Sequence, residues 1–169
     1  MNTLLYTVSN RIALITLNRP EKRNALNAEL VKELTDCLEE TGRDDRVKVI
    51  ILKSAGEAFC AGADLAYLQQ LKRNSLEENL SDSNNLKTLY TRIYTLTKPV
   101  IAQVQGPALA GGCGLATVCD FCFSVPEATF GYTEVKIGFI PALVMVFLIR
   151  KIGDGKAREL LLSGNLISA

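Results

Sequence analysis

The sequence of 169 residues contains no histidine. This absence excludes a Ser-His-Asp triad, a Cys-His pair and the common histidine-containing zinc sites within this chain. Any acid–base chemistry must therefore come from carboxylates, lysine, tyrosine or cysteine. The five cysteines form an odd number and lack the spacing of a disulfide framework, which predicts a reducing, cytoplasmic setting. We expect no metal site, because Cys119 and Cys122 have C-x-x-C spacing without a second pair.

The sequence also lacks a strong charge of either sign and a long apolar run. Nineteen Lys and Arg residues oppose 18 Asp and Glu residues, and the two signs are interspersed, so we expect no nucleic-acid partner. The longest apolar run, 137–149, contains Pro141 and is shorter than the roughly 20 residues of a membrane span. The first residues do not resemble a signal peptide. A hydrophobic content of 48% predicts surface that contacts further chain or other subunits.

The order of predicted elements indicates an α/β domain with a largely parallel sheet. We predict strands over 4–9, 11–17, 47–54, 99–104 and 120–125, and expect the third and the last to be buried. Asn27 is the predicted N-cap of a helix that Gly42 ends, and Asp64 is the predicted N-cap of the next helix. Residues 74–85 are polar without a clear period, which indicates a mobile surface segment. Two further helices close the chain.

Two glycine-containing loops each lead from a strand into a helix. The first, "FCAGADL", places Ala63 before the capping Asp64, and the second, "GPALAGGCGLATVCD", carries Gly111, Gly112 and Gly114. A dinucleotide fingerprint would need glycine where Thr117 stands, and no P-loop pattern is present. The glycines are also compatible with a purely structural role in tight helix packing. Alternatively, the two loops could direct two backbone N–H groups at one oxygen, as stabilisation of a thioester enolate requires.

Four stretches carry a family resemblance: "NRPEKRNALN", "AFCAGADL", "KPVIAQVQGPALAGGCGLATVCD" and "ATFGYTEVKIGFIP". In this order and spacing they resemble the enoyl-CoA hydratase/isomerase (crotonase) superfamily, nearest to its bacterial methylglutaconyl-CoA hydratase-like branch. The resemblance implies a crotonase-like spiral of β-β-α units in which residues 1–169 form a single N-terminal core domain. It also implies that the C-terminal helices, through which the family builds trimers and often hexamers, are absent from this chain.

The resemblance further implies the residues of an acyl-CoA site. The backbone N–H groups of Ala63 and Gly111 would bind the thioester oxygen. The remaining residues that the resemblance places along the bound acyl-CoA are Asn24, Ala25, Leu26, Ala61, Gly62, Asp64, Leu65, Gly112, Gly114 and Tyr132. By residue chemistry alone, Asp64 is expected to cap a helix and Tyr132 to pack. No separate cofactor is expected, because CoA is part of the substrate.

The catalytic carboxylates depart from the family pattern. The second family glutamate matches Glu134, whereas the first falls on Gly114. The apolar neighbours of Glu134 predict a half-buried carboxylate with a raised pKa. We expect an enoyl-CoA hydratase that acts on a short or branched 2-enoyl-CoA with this single glutamate. Two alternatives remain: a Δ3-Δ2 enoyl-CoA isomerase, and a non-catalytic acyl-CoA-binding or oligomerisation subunit.

Overall fold

The computed structural model of the protein describes residues 1–169, which form two sheets and six α-helices. The five-stranded sheet has the order β1-β2-β3-β4-β6 and the three-stranded sheet the order β5-β7-β8. The strands are β1 (Leu4–Ser9), β2 (Ile12–Leu17), β3 (Val49–Ser54), β4 (Val100–Val104), β5 (Ala108–Leu109), β6 (Phe121–Ser124), β7 (Thr129–Gly131) and β8 (Ile167–Ser168). Only β1–β2 is antiparallel in the larger sheet, so the predicted parallel pairing is confirmed.

The helices cover the larger sheet and carry the loops of the candidate site. They are α1 (Ala28–Arg43), α2 (Leu65–Leu71), α3 (Leu76–Thr95), α4 (Gly111–Val118), α5 (Ala142–Ile152) and α6 (Asp154–Ser163). Two 3₁₀ turns span Pro20–Lys22 and Glu134–Ile137. None of these helices is long and apolar enough to cross a membrane.

Helix α1 follows directly from its sequence pattern. The Asn27 side chain accepts a hydrogen bond from the Leu30 N–H at 3.0 Å and so satisfies one of the free donors of the first turn. The apolar stripe predicted for this helix is buried in the core: Leu30, Val31, Leu34, Cys37 and Leu38. Helix α1 continues one residue beyond Gly42 and ends at Arg43, so Gly42 is a helical residue rather than the predicted stop.

The prediction of a mobile surface segment over 74–85 is wrong, because most of it is the first half of α3. Ser75 caps this helix through a reciprocal capping box with Glu78. The buried residues of α3 are all in its second half: Leu89, Tyr90 and Ile93. The first half lies on the surface, and its sequence therefore has no apolar stripe from which a helix could be predicted.

Two predictions about burial are also wrong. Strand β6 forms where expected, at the edge of the larger sheet, but Phe121 and Phe123 are 58% and 64% exposed. Strand β3 buries Ile50 and Leu52 fully, whereas Ile51 on the other face is only partly covered. An apolar run indicates that a strand lies inside a sheet. It does not indicate how well other elements cover each face of that strand.

Candidate active site

The two glycine-containing loops run side by side. The Cys60 N–H donates to the Pro107 carbonyl at 3.2 Å, and the Cys60 carbonyl accepts from the Leu109 N–H at 2.9 Å. A β-carbon at Gly62 would lie 2.8 Å from the Ala110 β-carbon and 3.6 Å from the Gly111 nitrogen. The loops therefore bring the residues that precede α2 and α4 into one small region.

The two expected oxyanion donors, Ala63 and Gly111, lie on either side of this contact. Neither of their backbone N–H groups donates to a backbone carbonyl. Ala63 is exposed and Gly111 is half-buried, so both donors lie at the surface of the domain rather than in its core. Two unpaired N–H groups on adjoining loops are the arrangement that binds a single oxygen.

A third segment, residues 23–26, completes this wall of the site. The Leu26 N–H donates to the Gly62 carbonyl at 2.7 Å, and the Asp64 N–H donates to the Leu26 carbonyl at 2.8 Å. The Ala61 N–H donates to the Arg23 carbonyl at 3.0 Å. Ala25 and Leu26, which the resemblance places along the CoA, are thereby fixed beside the first loop.

The Asn24 side chain makes all of its hydrogen bonds to backbone groups of the protein itself. Its carbonyl oxygen accepts from the Arg19 N–H at 2.9 Å, and its amide nitrogen donates to the carbonyls of Ala55 and Ala58 at 2.8 and 2.9 Å. Arg23 and Asn24 both have positive φ angles, of 51° and 54°. The buried Asn24 amide thus holds a tight turn in place, and Asn24 faces the site only as part of this turn.

Asp64 acts as a helix cap and as one half of an ion pair. One carboxylate oxygen accepts from the Ala66 N–H at 3.0 Å, and the other lies 3.0 Å from the Arg19 guanidinium. Burial alone would raise the pKa of Asp64, but the hydrogen bonds from Arg19, Tyr67 and Ala66 outweigh it and lower that pKa. The capping role expected for Asp64 is confirmed. Leu65, the next residue, is exposed.

Arg19 is a site residue that sequence reasoning missed. Besides Asp64, its guanidinium binds the Ala25 carbonyl, so one side chain joins the turn at residues 23–26 to the start of α2. Its neighbour Pro20 and the surrounding charges mark a turn in the sequence. No local pattern there distinguishes Arg19 from the other basic residues of the turn.

Helix α4 begins at Gly111 after a residue with an unusual backbone. Ala110 has φ 51° and ψ −127°, a conformation that L-residues rarely adopt and that occurs preferentially at functional sites. It is held there by its N–H, which donates to the Gly131 carbonyl at 2.7 Å, and by its carbonyl, which accepts from the Gly114 N–H at 3.0 Å. A β-carbon at Gly112 would overlap the Cys60 carbonyl, so this glycine permits the close approach of α4 and the first loop.

Glu134 begins the 3₁₀ turn that follows β7 and is half-buried. One of its carboxylate oxygens is inaccessible to solvent and has no hydrogen-bond partner. Burial raises the pKa of Glu134, with a smaller opposing effect from its own backbone N–H. The pKa is raised as expected, but the expected cause is wrong, because the apolar sequence neighbours Val135, Ile137 and Phe139 are themselves exposed.

Tyr90, on α3, is a second residue that sequence reasoning missed. It is fully buried, and its hydroxyl donates to the Gly111 carbonyl at 2.9 Å. Burial raises the pKa of Tyr90 well above 10, and the neighbouring Cys60, Glu134 and Cys113 raise it further. Tyr90 thus contacts Gly111 and lies within electrostatic range of Glu134. The sequence around Tyr90 indicates only an apolar position of an amphipathic helix.

Tyr132 lies on another side of α4. Its hydroxyl is 2.5 Å from the Thr117 hydroxyl, and its side chain is almost wholly buried. The ring lines a cavity of about 250 Å³ that also contacts Cys113, Cys122 and Leu148. This packing agrees with the structural role that residue chemistry alone indicated for Tyr132.

Comparison with known proteins identifies relatives over nearly the whole chain. The enoyl-CoA hydratase/isomerase family model matches residues 7–169. A Thermus thermophilus protein that carries the name enoyl-CoA hydratase is 46% identical over 158 residues. These residues are 94% of this chain and 62% of that protein. The 2,3-dehydroadipyl-CoA hydratase of Escherichia coli is 36% identical over 170 residues, covering 100% of this chain and 65% of that enzyme.

Solved structures agree with the sequence relatives. A Legionella pneumophila protein described as an enoyl-CoA hydratase/isomerase (crotonase) superposes with a TM-score of 0.97 and 40% identity, covering 100% of this chain and 65% of that one. An enoyl-CoA hydratase from Shewanella pealeana gives a TM-score of 0.95 and 32% identity over 99% of this chain and 63% of its own. The expected crotonase fold is confirmed. The chain spans slightly less than two thirds of the length of each of these relatives.

Proposed function

Because the chain belongs to the enoyl-CoA hydratase/isomerase family, we propose that it hydrates a short or branched 2-enoyl-CoA such as 3-methylglutaconyl-CoA. One observation carries this proposal: the N–H groups of Ala63 and Gly111 are unpaired and lie on adjoining loops. A half-buried carboxylate, Glu134, is near enough to Tyr90 to raise the pKa of that phenol, and the Tyr90 hydroxyl binds the Gly111 carbonyl. The oxygen of the thioester would accept hydrogen bonds from both N–H groups. CoA would run past residues 23–26 and the Ala61–Gly62 backbone, and no separate cofactor is required.

The oxyanion donors act on the charge that develops during the reaction. Addition of water to C3 of a 2-enoyl thioester moves electrons onto the thioester oxygen and produces an enolate. Hydrogen bonds to this oxygen strengthen as it becomes negative, so they lower the energy of the transition state more than that of the substrate. Loss of one such donor typically costs about 10²–10³ in kcat.

Glu134 would carry both proton transfers. As a carboxylate it accepts a proton from the attacking water, whose oxygen bonds to C3. It then returns that proton to C2 of the enolate, so one proton and one hydroxyl are added and Glu134 ends ionised. A raised pKa favours both halves of this cycle, because the carboxyl must gain and lose a proton near neutral pH.

Isomerisation is the second candidate, and the surroundings of Gly114 favour it. Residue 114 is a glycine and provides no second carboxylate, and a methyl of Val144 and the Tyr90 hydroxyl fill the space beside it. A single base suffices to remove a proton from C2 of a 3-enoyl-CoA and deliver it to C4. The same oxyanion hole would stabilise the dienolate formed in between. A protein that only binds acyl-CoA or supports oligomerisation is the third candidate.

The full-length protein should be incubated separately with crotonyl-CoA, 3-methylglutaconyl-CoA, 2,3-dehydroadipyl-CoA and a 3-enoyl-CoA, and the products analysed by liquid chromatography and mass spectrometry. The dicarboxylic substrate is included because of the name of the E. coli relative. A gain of one water on a 2-enoyl-CoA identifies a hydratase. An unchanged mass at a new retention time identifies an isomerase. Binding without any product contradicts both catalytic proposals and leaves the binding subunit.

We also propose an oligomeric state and a cellular location for the protein. Large apolar side chains are exposed on and around the last helices, among them Phe139, Ile140 and Leu162. Such a surface supports contact with further chain or with other subunits, and we propose a homotrimer or hexamer for the full-length protein. Its five cysteines are all free thiols, which suits the cytoplasm.

A further inference from the structure

The direction of the Gly111 N–H depends on the groups that hold the neighbouring peptide units. Gly111 has no side chain to pack, and its own N–H makes no bond to a backbone carbonyl. On its N-terminal side the Ala110 carbonyl is fixed by the Gly114 N–H. On its C-terminal side the Gly111 carbonyl accepts the hydroxyl of Tyr90 at 2.9 Å. The Tyr90 hydroxyl is thus the one side-chain group that hydrogen-bonds to this residue.

Tyr90 is itself rigidly held. Its side chain is fully buried, and its ring packs edge-on against Phe147 with 6.3 Å between ring centroids. A β-carbon at Gly111 would lie 3.0 Å from the Tyr90 hydroxyl, and one at Gly114 would lie 3.4 Å from it. The absence of side chains at these two glycines therefore makes the space into which the hydroxyl of Tyr90 reaches.

The chemistry of a phenol suits this position. Cys60, Cys113 and Glu134 face Tyr90, and burial together with these groups keeps its pKa well above 10. The hydroxyl thus remains protonated and continues to donate to Gly111 whether Glu134 is ionised or neutral. A carboxylate or a histidine at the same place would change its hydrogen bonding across the pH range in which Glu134 titrates.

We propose that Tyr90 is a positioning residue of the oxyanion hole: its hydroxyl holds the Gly111 carbonyl and so fixes the backbone conformation of Gly111, which directs the Gly111 N–H at the thioester oxygen. This inference rests on the function proposed above. Tyr90 does not exchange a proton with the substrate. It acts through Gly111, and its effect is therefore greatest when the bound oxygen carries negative charge.

The test compares Tyr90→Phe with Tyr94→Phe in the full-length protein. Tyr94 lies one turn further along α3, is partly exposed and packs on the same Phe147 at 5.2 Å, so its variant is a matched control. We expect Tyr90→Phe to lower kcat about 10-fold to 100-fold with little change in KM, because a misdirected donor weakens the transition state more than the bound substrate. Tyr94→Phe should leave both unchanged.

A spectroscopic measurement separates positioning from loss of folded protein. Acetoacetyl-CoA ionises to an enolate that absorbs in the near ultraviolet, and an oxyanion hole favours this ionised form. The pKa of the bound ligand should rise in Tyr90→Phe by about one unit, which corresponds to a tenfold loss of enolate stabilisation. Parental kcat and parental ligand pKa in this variant would overturn the inference. A lower kcat with an unchanged ligand pKa would also overturn it. A parent protein with neither turnover nor enolate binding would instead contradict the proposed function.

Discussion

Val144 occupies the space that a side chain at position 114 would need. A β-carbon at Gly114 would overlap a γ-methyl of Val144 and lie 3.1 Å from its β-carbon. Val144 is buried on α5, and it packs on α4 at Gly114. The packing of α4 against α5 is therefore adapted to glycine at position 114.

Gly114→Ala should therefore destabilise the protein by about 1–3 kcal/mol, as expected for overpacking of a close contact. Val144→Ala removes the overlapping methyl, and the double variant should recover part of the loss caused by Gly114→Ala. Urea denaturation of the parent, both single variants and the double variant gives the coupling energy. If the two effects are simply additive, Val144 does not restrict position 114.

Gly62→Ala should disrupt the proposed oxyanion hole. Gly62 has φ +88°, and its β-carbon would lie 2.8 Å from that of Ala110, so the substitution both strains the first loop and pushes it away from the second. We expect kcat to fall by about 10²-fold, because small displacements of positioning groups have effects of this size.

The control for Gly62→Ala is Gly153→Ala, between α5 and α6. Gly153 has a similar φ of +79°, but its β-carbon would meet no atom within 4 Å. This variant should lose stability through backbone strain and keep its kcat. Equal loss of activity in the two variants would show that strain, rather than the contact between the loops, is responsible.

Glu134→Gln should lower kcat by about 10²–10⁴-fold, because the amide cannot accept and return a proton. Binding of the substrate CoA ester, measured by calorimetry, should change little. Glu127→Gln is the matched control, since Glu127 is exposed on the turn before β7. Full turnover by Glu134→Gln would remove this residue from the mechanism.

The same variant has a predicted effect on stability with a defined pH dependence. The raised pKa of Glu134 means that the native state holds its proton more tightly than the unfolded state, so stability falls as the pH rises above the ordinary glutamate value of about 4.3. Glu134→Gln should therefore match the parent below about pH 4 and exceed it in melting temperature at neutral pH. Equal melting temperatures at neutral pH would contradict an unfavourable buried carboxylate.

Arg19→Gln should destabilise the loop that carries Ala63. Arg19 and Asp64 are only 13% and 12% exposed, and the guanidinium also binds the Ala25 carbonyl. We expect a loss of about 1–2 kcal/mol in the free energy of unfolding, less than for a fully buried pair because solvent screens part of the interaction. Lys32→Gln, which breaks an exposed pair with Asp36, should cause no measurable change in urea denaturation.

Local sequence patterns predicted those elements whose formation depends on interactions among their own residues. Asn27 and Asp64 cap their helices because a short polar side chain at a helix start satisfies nearby N–H groups, a purely local effect. The first half of α3 and the exposed strand β6 could not be predicted in this way. Their properties depend on which neighbours cover them, and the sequence of a segment does not contain that information.

The sequence by itself determined which side chains of these 169 residues can transfer protons. The absence of histidine leaves proton transfer to groups such as Glu134, and the two glycine-containing loops identify where backbone donors can act. Only the tertiary structure decided that Tyr90 reaches Gly111, that Arg19 joins Asp64 to Ala25, and that Val144 fills the place beside Gly114. Apart from the contact of Arg19 with Ala25, these contacts link residues that are distant in the chain, and they arise because helices and loops from separate segments pack at van der Waals distance in the folded domain.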